Sequence, residues 1–221
     1  MAGLRGQNAP VLIIGVHKAE LPFGREVAKI VLRSKLIPNL KVIEIEEGLD
    51  QPHTFRDRKF FYNAFHKEIY LQIYQQVKNR HDLILDLHAG HIQEGRAAEI
   101  YSGSRRLLYQ IEELKKNEKG PVSKYPIDLF LITDRDEDTK KMPDVAICHT
   151  IIPKQLWRSD SQIYVGIEIY MEQQEKFKDA DILFAAQVIN MTWTGFKMIK
   201  KVKPKLCTAK EGKNEFSFYI S

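Results

Sequence analysis

Cysteine is scarce in this sequence, and long apolar runs are absent. Cys148 and Cys207 are the only two cysteines in 221 residues, too few and too widely spaced for a disulfide framework or a cysteine zinc site. No run of about eighteen or more apolar residues occurs, so no segment is predicted to span a membrane. Residues 1–10 lack the apolar segment of a secretory signal, and we therefore expect a cytoplasmic protein.

Two common catalytic signatures are missing as well. The sequence contains neither Gly-x-Gly-x-x-Gly nor a P-loop, which are the glycine-rich loops that hold nucleotide phosphates. It also has no Gly-x-Ser-x-Gly elbow, the turn that exposes the nucleophile of many serine hydrolases. A phosphate-loop enzyme and a serine hydrolase therefore have no support in the sequence.

Positive charge is in excess and is unevenly placed. The formal net charge is +5, and basic residues gather in the tail formed by residues 197–213, with a weaker cluster in residues 56–67. A non-catalytic basic nucleic-acid-binding module is therefore one hypothesis. The tail has few aromatic residues on which bases could stack, so a nucleic-acid partner is not favoured, and we interpret the tail as a solvated face.

The distribution of apolar residues predicts one α/β catalytic domain over residues 1–221. The hydrophobic fraction of 43% is sufficient for a sizeable core. Apolar runs and period-two alternation predict strands, and apolar residues at helical spacing predict helices. The predicted strands are residues 11–16, 41–45, 82–87, 128–133, 145–148 and 163–170, with a further terminal strand at 216–220; the predicted helices are residues 25–36, 60–78, 104–116 and 175–199. This order predicts a mixed, largely parallel central sheet flanked by helices.

Polar residues follow two of these strands at the positions where ligands bind in open α/β sheets. His17 and Glu20 come directly after residues 11–16, and His88 follows residues 82–87. Side chains three residues apart in a turn or helix can reach the same ion. Catalytic zinc sites combine three protein ligands with one open position. We therefore expect His17, Glu20 and His88 to bind one metal ion.

Two acidic residues lie within apolar stretches near these positions. Glu168 stands between Ile167 and Ile169, which point to the opposite and buried face of the predicted strand; Glu168 then faces either the site or solvent. Asp86 precedes His88 by two residues and shares its face of the strand. Asp86 therefore either orients a metal-bound imidazole or caps the next loop.

Three short segments together resemble a known family of zinc enzymes. Residues 14–24, Ile-Gly-Val-His-Lys-Ala-Glu-Leu-Pro-Phe-Gly, resemble the first zinc motif of the succinylglutamate desuccinylase and aspartoacylase family, whose members are relatives of the zinc carboxypeptidases. Residues 85–88, Leu-Asp-Leu-His, are similar to the second motif of that family. Residues 164–169, Tyr-Val-Gly-Ile-Glu-Ile, look like the strand that carries its catalytic glutamate.

The resemblance implies a fold, a cofactor and a reaction. It implies a zinc carboxypeptidase-like fold, with one zinc ion per chain held by His17, Glu20 and His88. Glu168 would be the general base that activates water, and zinc would polarise the amide carbonyl. The implied activity is that of an amidohydrolase or deacylase acting on a small N-acyl amino acid or a peptide-like substrate.

The family also uses arginines, and here the sequence departs from the pattern. In place of Asp-Leu-Asn-Arg-x-Phe, the chain has Phe-Arg-Asp-Arg-Lys-Phe at residues 55–60. The resemblance implies that Arg58 binds a substrate carboxylate, for which a guanidinium group is geometrically suited, and that Arg56 polarises the scissile carbonyl. Both arginines would thus have catalytic and substrate-binding roles. Asp57 replaces the expected asparagine and would repel a carboxylate. These charges could instead cap the following helix on the surface.

Other readings remain open at this point. An enzyme similar to N-formylglutamate amidohydrolase, acting as a deformylase or deacylase, has motifs of similar style. The sequence also leaves open whether the chain forms a homo-oligomer. The other histidines have no paired ligand nearby in the sequence, and we expect loop, packing or surface roles for them; they are His53, His66, His81, His91 and His149.

Overall fold

The computed structural model describes residues 8–50, 56–92, 95–118, 120–134, 145–173 and 176–201, without the side chains of residues 56–61 and 121. The strands are β1 (Val11–Ile14), β2 (Lys41–Glu44), β3 (Leu83–His91), β4 (Ala97–Ser102), β5 (Ile127–Ile132), β6 (Ala146–Cys148) and β7 (Ile163–Met171). The helices are α1 (Leu21–Ser34), α2 (Arg56–Val77), α3 (Arg105–Asn117), α4 (Lys154–Trp157) and α5 (Asp179–Lys201), with short 3-10 helices at Lys18–Glu20 and Pro121–Lys124.

The described strands form one sheet of seven in the order β2-β1-β3-β7-β4-β5-β6. Five neighbouring pairs are parallel, and only β4 and β7 pair antiparallel. The sheet therefore consists of two parallel blocks that run in opposite directions and meet at β7 and β4. The predicted mixed, largely parallel sheet flanked by helices is confirmed.

The two faces of the sheet are covered by different helices. Leu12 and Ile14 of β1 belong to the larger apolar cluster, together with residues of α1, α3 and α5. Val11 and Ile13 alternate with them and belong to a smaller cluster, together with residues of α2 and α4. Alternation along one strand thus fills two cores, as expected for a strand that is covered on both faces.

Several boundaries differ from those expected from the sequence. Helix α1 begins at Leu21 rather than at residue 25, because Pro22 is tolerated in a first turn and Gly24 lets the helix approach Ile14 closely. Strand β3 extends to His91, so the prediction that it ends at residue 87 is wrong.

Strand β4 was missed entirely by the sequence analysis. Its sequence, Ala-Ala-Glu-Ile-Tyr-Ser, has few β-branched residues, so the usual strand signal is weak. In the sheet it lies between β7 and β5 and pairs with both. Long-range pairing rather than local sequence preference therefore makes this segment a strand.

No described helix combines the length and the apolar character needed to cross a bilayer. Of the basic tail, residues 197–201 lie at the end of α5. The rest of the tail, and the terminal strand expected at residues 216–220, lie outside the described residues.

Candidate metal centre

A tight turn after β1 delivers the first pair of candidate ligands. Gly15 has a φ of 82°, a conformation that favours glycine, and a Cβ there would lie 2.8 Å from the carbonyl oxygen of Ile45. Beyond the turn, the 3-10 helix Lys18–Glu20 brings the Glu20 carboxylate back towards His17. Oε1 of Glu20 lies 2.6 Å from Nδ1 of His17.

Strand β3 brings His88 to the same carboxylate. Nδ1 of His88 lies 3.1 Å from Oε2 of Glu20. One ligand atom from each of His17, Glu20 and His88 can be chosen so that all three lie within 4.8 Å of one another. The structure thus brings the three predicted ligands together, although His88 lies inside a strand and not in the loop expected after it.

The second ring nitrogen of each imidazole, Nε2, contacts a side chain other than Glu20. Nε2 of His17 lies 2.8 Å from the hydroxyl of Tyr62 in α2, and Nε2 of His88 lies 3.2 Å from Oδ2 of Asp86. Both Nδ1 atoms therefore face the Glu20 carboxylate while both Nε2 atoms are engaged elsewhere. Partners of this kind fix the orientation of an imidazole ligand and select which nitrogen is presented to a metal.

Asp86 is completely buried behind His88. Its Oδ2 accepts hydrogen bonds of 2.6 Å from the hydroxyls of both Tyr70 and Tyr164. Burial alone would raise the pKa of Asp86, but the positive charge and hydrogen bond of His88, together with the two hydroxyls, lower the pKa below its ordinary value. Asp86 thus contacts His88, and its role in orienting a metal-bound imidazole stays a prediction.

The imidazoles and carboxylates of the centre shift one another's pKa values. Burial disfavours a charged His88, yet the carboxylates of Asp86 and Glu20 raise its pKa well above 6.5. Burial also opposes the ionisation of Glu20, but hydrogen bonds from His17 and His88 lower its pKa. The two carboxylates thus favour the protonated form of His88 when no metal is bound, and a metal ion bound by this imidazole would displace a proton.

Glu168 lies beside this cluster on the neighbouring strand. It is the register partner of His88 in the parallel pair of β3 and β7, so the two side chains lie on the same face of the sheet. Ile167 and Ile169 are fully buried on the opposite face, as the sequence predicted. Burial raises the pKa of Glu168 to about 7. The negative charges of Glu20 and Glu99 add to this effect, whereas the positive charge of His88 opposes it.

The missed strand β4 contributes a second carboxylate to this face. Glu99 is the register partner of Glu168 in the antiparallel pair of β4 and β7. Its Oε2 accepts hydrogen bonds from the hydroxyl of Tyr101 and, at 2.8 Å, from the hydroxyl of Tyr170. Glu168 therefore stands between His88 on one neighbouring strand and a tyrosine-held carboxylate on the other.

A small cavity of about 200 Å³ opens onto these groups. Its walls combine His17, His88 and Glu168 with residues of α2, of the neighbouring strands and of the segment before α4. Its lining includes His17, His66, Tyr70, His88, Tyr101, Ile132, Cys148, Ile152, Tyr164, Gly166 and Glu168. The space is sufficient for a small substrate or for the reacting end of a larger one.

Helix α2 supplies functional residues that the sequence analysis missed. Tyr62, His66 and Tyr70 are spaced four residues apart and so share one face of the helix. His66 stacks on His17 with ring centroids 5.5 Å apart and lines the cavity, so its assignment to packing or the surface was incomplete. Burial, followed by the nearby charge of His17, lowers the pKa of His66 to about 4. The aromatic spacing of this helix is the signal that could have identified the group.

The remaining site predictions fall at the start of α2. Arg56, Asp57 and Arg58 lie in its first turn, and Arg58 precedes Tyr62 by four residues. Their side chains lie outside the described residues, as does His53. Their predicted roles stay predictions.

Comparisons with known proteins find similarity of fold only. No family model matches the sequence, and no curated protein matches it. The catalytic domain of the N-acetylmuramoyl-L-alanine amidase CwlV from Bacillus (Paenibacillus) polymyxa is 12% identical, with a TM-score of 0.42 over 88% of this chain and 99% of that one.

Murine aminoacylase 3 is 16% identical, with a TM-score of 0.44 over 89% of this chain and 66% of that one. A bacteriophage poly-gamma-glutamate hydrolase is 13% identical, with a TM-score of 0.45 over 87% and 86% of the two chains. Identities and TM-scores this low do not assign the chain to any of these families.

Proposed function

We propose that this chain is a zinc-dependent hydrolase that cleaves an amide bond in a small N-acyl amino acid or peptide-like substrate, within one catalytic domain over residues 1–221. The observation that carries the proposal is the convergence of three donors with a separate carboxylate beside them. His17, Glu20 and His88 form the donor group, and Glu168 lies next to His88 on the adjoining strand. The three donors would be sufficient to bind a metal ion, whereas activation of water needs a further base, and Glu168 is the carboxylate in position for that role.

The donor set suits zinc. Two imidazole nitrogens and a carboxylate oxygen are ligands that catalytic zinc sites use, and one such atom from each of the three residues lies within 4.8 Å of the others. His17, Glu20 and His88 would hold the ion beside the cavity that His17 and His88 line. When bound there, zinc would supply Lewis-acid polarisation of an amide carbonyl.

Glu168 is the proposed general base. Its pKa is about 7 in the metal-free protein and lower beside a bound cation, so near neutral pH the carboxylate would be ionised and able to accept a proton from water and return it to the leaving amine nitrogen. Gly166, two residues earlier, also lines the cavity and presents no side chain there. Substrate can therefore approach the strand close to the base.

The size and lining of the cavity support a small acyl group. Ile132 and Ile152 provide apolar surface in the lining, which suits the non-reacting part of an acyl chain. Arg58 and Arg56 are proposed to bind negative charge on the substrate. Membership in the succinylglutamate desuccinylase and aspartoacylase family is part of the same proposal.

The test is a combined metal and activity measurement on the full chain. Purified protein is analysed for bound metal and, once loaded with zinc, assayed against N-acyl amino acids and short peptides. Glu168→Gln keeps the size of the side chain but removes the base, so the turnover rate is expected to fall by about 10²-fold or more. Zinc content should stay nearly unchanged, because Glu168 is not among the proposed ligands.

Asp128→Asn is the matched control. Asp128 is an exposed strand carboxylate of β5 that does not line the cavity, and its amide variant should keep full activity. Near-full activity of zinc-loaded Glu168→Gln on an identified substrate would overturn the proposed mechanism. A protein that takes up no stoichiometric zinc would overturn the metal assignment.

A further inference from the structure

The cavity beside the candidate metal centre extends from the proposed ligands towards the other parallel block of the sheet. His17, His88 and Glu168 line one end of it. Ile132 and Cys148, the last residues of β5 and β6, line the other end. Strand β5 is the third strand from β3 in the sheet, which separates these two strands by roughly 14 Å. A substrate whose scissile bond lies at the ion would therefore place another of its groups against β5 and β6.

Among the residues that the structure describes, no lysine or arginine lines this cavity. Its acidic residue is Glu168, and Glu99, the register partner of Glu168, adds negative charge beside it. Burial, together with the charge of Glu99, raises the pKa of the Cys148 thiol, which therefore stays uncharged. A carboxylate that enters such a space loses its hydration and gains no cation, which is strongly unfavourable.

The tyrosine hydroxyls of the lining are already engaged within the protein. Those of Tyr70 and Tyr164 each donate a hydrogen bond of 2.6 Å to Oδ2 of Asp86. The hydroxyl of Tyr101 donates to Oε2 of Glu99. Because a hydroxyl has one donor hydrogen, these three groups have none left to offer to an anionic ligand.

The remaining surface suits an aliphatic chain. Ile132 and Ile152 are apolar, and Gly166 leaves space on the same face as Glu168. The cavity measures about 200 Å³. A water molecule occupies roughly 30 Å³ in the liquid, so the cavity has room for about six groups of the size of a water molecule or a methylene. An acetyl group would fill only part of it.

The arginines proposed to bind negative charge lie at the other end of α2. Arg58 precedes His66, which lines the cavity, by eight residues or about 12 Å along the helix axis. Between them, Tyr62 contacts Nε2 of His17 and is not part of the lining. The backbone of Arg56 and Arg58 therefore lies beyond His17, away from β5 and β6.

We propose that this cavity binds the acyl group of the substrate and selects a neutral aliphatic chain of about four to six carbons, while the charged amino-acid part stays towards the start of α2. The inference rests on the proposed function, because the scissile bond defines which part of the substrate enters the cavity. Acyl groups that end in a carboxylate, such as succinyl, are then poor substrates, although the resemblance to desuccinylases would allow them.

The first measurement needs no metal. Butyramide, which carries the proposed chain, is titrated into metal-free protein whose isoleucine methyl groups are labelled with carbon-13. Saturable NMR shifts of the Ile132 and Ile152 methyl groups are expected, because both residues line the cavity. Ile111 lies in the apolar core on the other face of the sheet, and its methyl resonance should stay in place.

The second measurement compares two hydroxamates on zinc-loaded protein, because a hydroxamate group binds zinc and leaves its chain to enter the cavity. Butyrohydroxamate has a neutral chain, and succinic monohydroxamate has a chain of the same length that ends in a carboxylate. Calorimetry should give a dissociation constant about tenfold or more higher for the charged ligand. The affinities of both compounds for free zinc provide the control.

Thr150 offers a matched pair of variants for charge. It is a half-buried residue of the lining, and its Oγ1 accepts a hydrogen bond of 3.1 Å from the amide of Ile152, which both variants lose. Thr150→Lys adds a cation and should tighten the binding of succinic monohydroxamate by about threefold or more. Thr150→Met, with a side chain of similar length and no charge, should not.

Gly166→Ala tests the length of the chain. A Cβ at this position would lie 3.5 Å from Cβ of Tyr101 and 3.5 Å from the hydroxyl oxygen of Tyr164, which are ordinary van der Waals distances, so the variant is expected to fold. The added methyl group takes space from the chain. Butyrohydroxamate should therefore bind about tenfold more weakly, whereas the shorter acetohydroxamate should be little affected.

The outcomes distinguish this inference from the proposed function. A protein that takes up no zinc, or that hydrolyses neither N-butyryl nor N-succinyl amino acids, counts against the proposed function, and the butyramide titration still tests the cavity. Equal affinity of the zinc-loaded protein for the two hydroxamates would overturn the inference. Methyl resonances of Ile132 and Ile152 that do not move with butyramide would overturn it as well.

Discussion

The two faces of the central sheet are built from the same strands and differ in what they bury. On the face covered by α1, α3 and α5, strand β3 places Leu85, Leu87 and Ala89 in a continuous apolar core. On the face covered by α2 and α4, the intervening residues of the same strand are Asp86 and His88, both buried. Strand β7 repeats the pattern on its own two faces.

This difference shows how one strand can serve stability and chemistry at once. Successive side chains point to opposite faces, so each polar residue is backed by apolar neighbours that anchor the backbone. Hydrogen bonds within the buried polar face offset much of the cost of burying it, as those of Tyr70 and Tyr164 with Oδ2 of Asp86 do, although Oδ1 of Asp86 and Nδ1 of His66 have no partner among the described residues. We therefore expect substitutions on the apolar face to change stability and substitutions on the polar face to change metal binding and activity.

The largest expected contrast is between two adjacent residues, His88 and Leu87. His88→Ala should lose both bound zinc and hydrolysis, because it removes one of three proposed ligands. Leu87→Ala, on the opposite face and 1% exposed, should lower the free energy of unfolding by about 2–5 kcal/mol and still bind one zinc ion per folded chain. Metal analysis and denaturant unfolding measure the two outcomes.

The discriminating readout in this pair is metal content, since His88→Ala also leaves Asp86 and Glu20 without their cationic partner and so loses stability. Full zinc occupancy in His88→Ala would contradict the proposed ligand set. Loss of zinc from correctly folded Leu87→Ala would contradict the division between the faces.

A smaller effect is expected from Asp86→Asn. The substitution keeps the shape of the side chain but removes the charge that holds Nε2 of His88. Loss of such a partner typically weakens metal binding by about 10–100-fold. Competition with a chelator, read out as the zinc dissociation constant, measures the change; an unaltered constant would show that Asp86 has only a packing role.

The pH dependence of Glu168 gives the next contrast. Catalysis needs the carboxylate, so activity should fall as the pH drops through the pKa of Glu168, which is about 7 in the metal-free protein and lower when a cation is bound nearby. The stability of the metal-free protein should change in the opposite sense. Because the folded pKa lies above the unfolded one, the stabilising contribution is complete below about pH 4.5 and is lost as the pH rises towards 7.

Glu168→Gln removes this titratable group, so the difference between wild type and the variant gives the contribution of Glu168 to the pH dependence of stability. Between about pH 5 and pH 8 the metal-free wild type should lose about 1–3 kcal/mol of stability relative to the variant. Urea unfolding of both proteins at the two pH values measures the difference. Parallel pH curves for the two proteins would mean that Glu168 is not held in a desolvated position.

The smallest effect is expected at His66. Its folded pKa of about 4 lies below its ordinary value, so its contribution to stability is present above about pH 6.5 and is lost as the pH falls towards 4. His66→Phe keeps the ring against His17 and removes the titration. Between pH 7 and pH 5 the metal-free variant should lose about 1 kcal/mol less stability than wild type, a modest value because the ring is partly exposed.

The melting temperatures of the two metal-free proteins at both pH values provide the measurement for His66. Zinc content of the loaded variant serves as the control and should equal that of wild type. A variant that is as acid-sensitive as the wild type would place the titrating group elsewhere.

The sequence alone determined the features that depend on local pattern. Apolar runs marked six of the seven described strands, and the spacing of His17 and Glu20 brought two donors to the end of the first of them. The alternation of Glu168 with Ile167 and Ile169 fixed which residues share a face. These features are visible locally because side-chain direction in a strand or turn depends on residues only two or three positions apart.

Only the tertiary structure decided how distant segments meet. It inserted β4 antiparallel beside β7, placed Glu99 next to Glu168, and laid α2 across the centre so that Tyr62 and Tyr70 hold the two imidazoles. It also set the two parallel blocks of the sheet in opposite directions. Strand pairing and register are set by burial and hydrogen bonding between segments far apart in the chain, and no local pattern in the sequence encodes them.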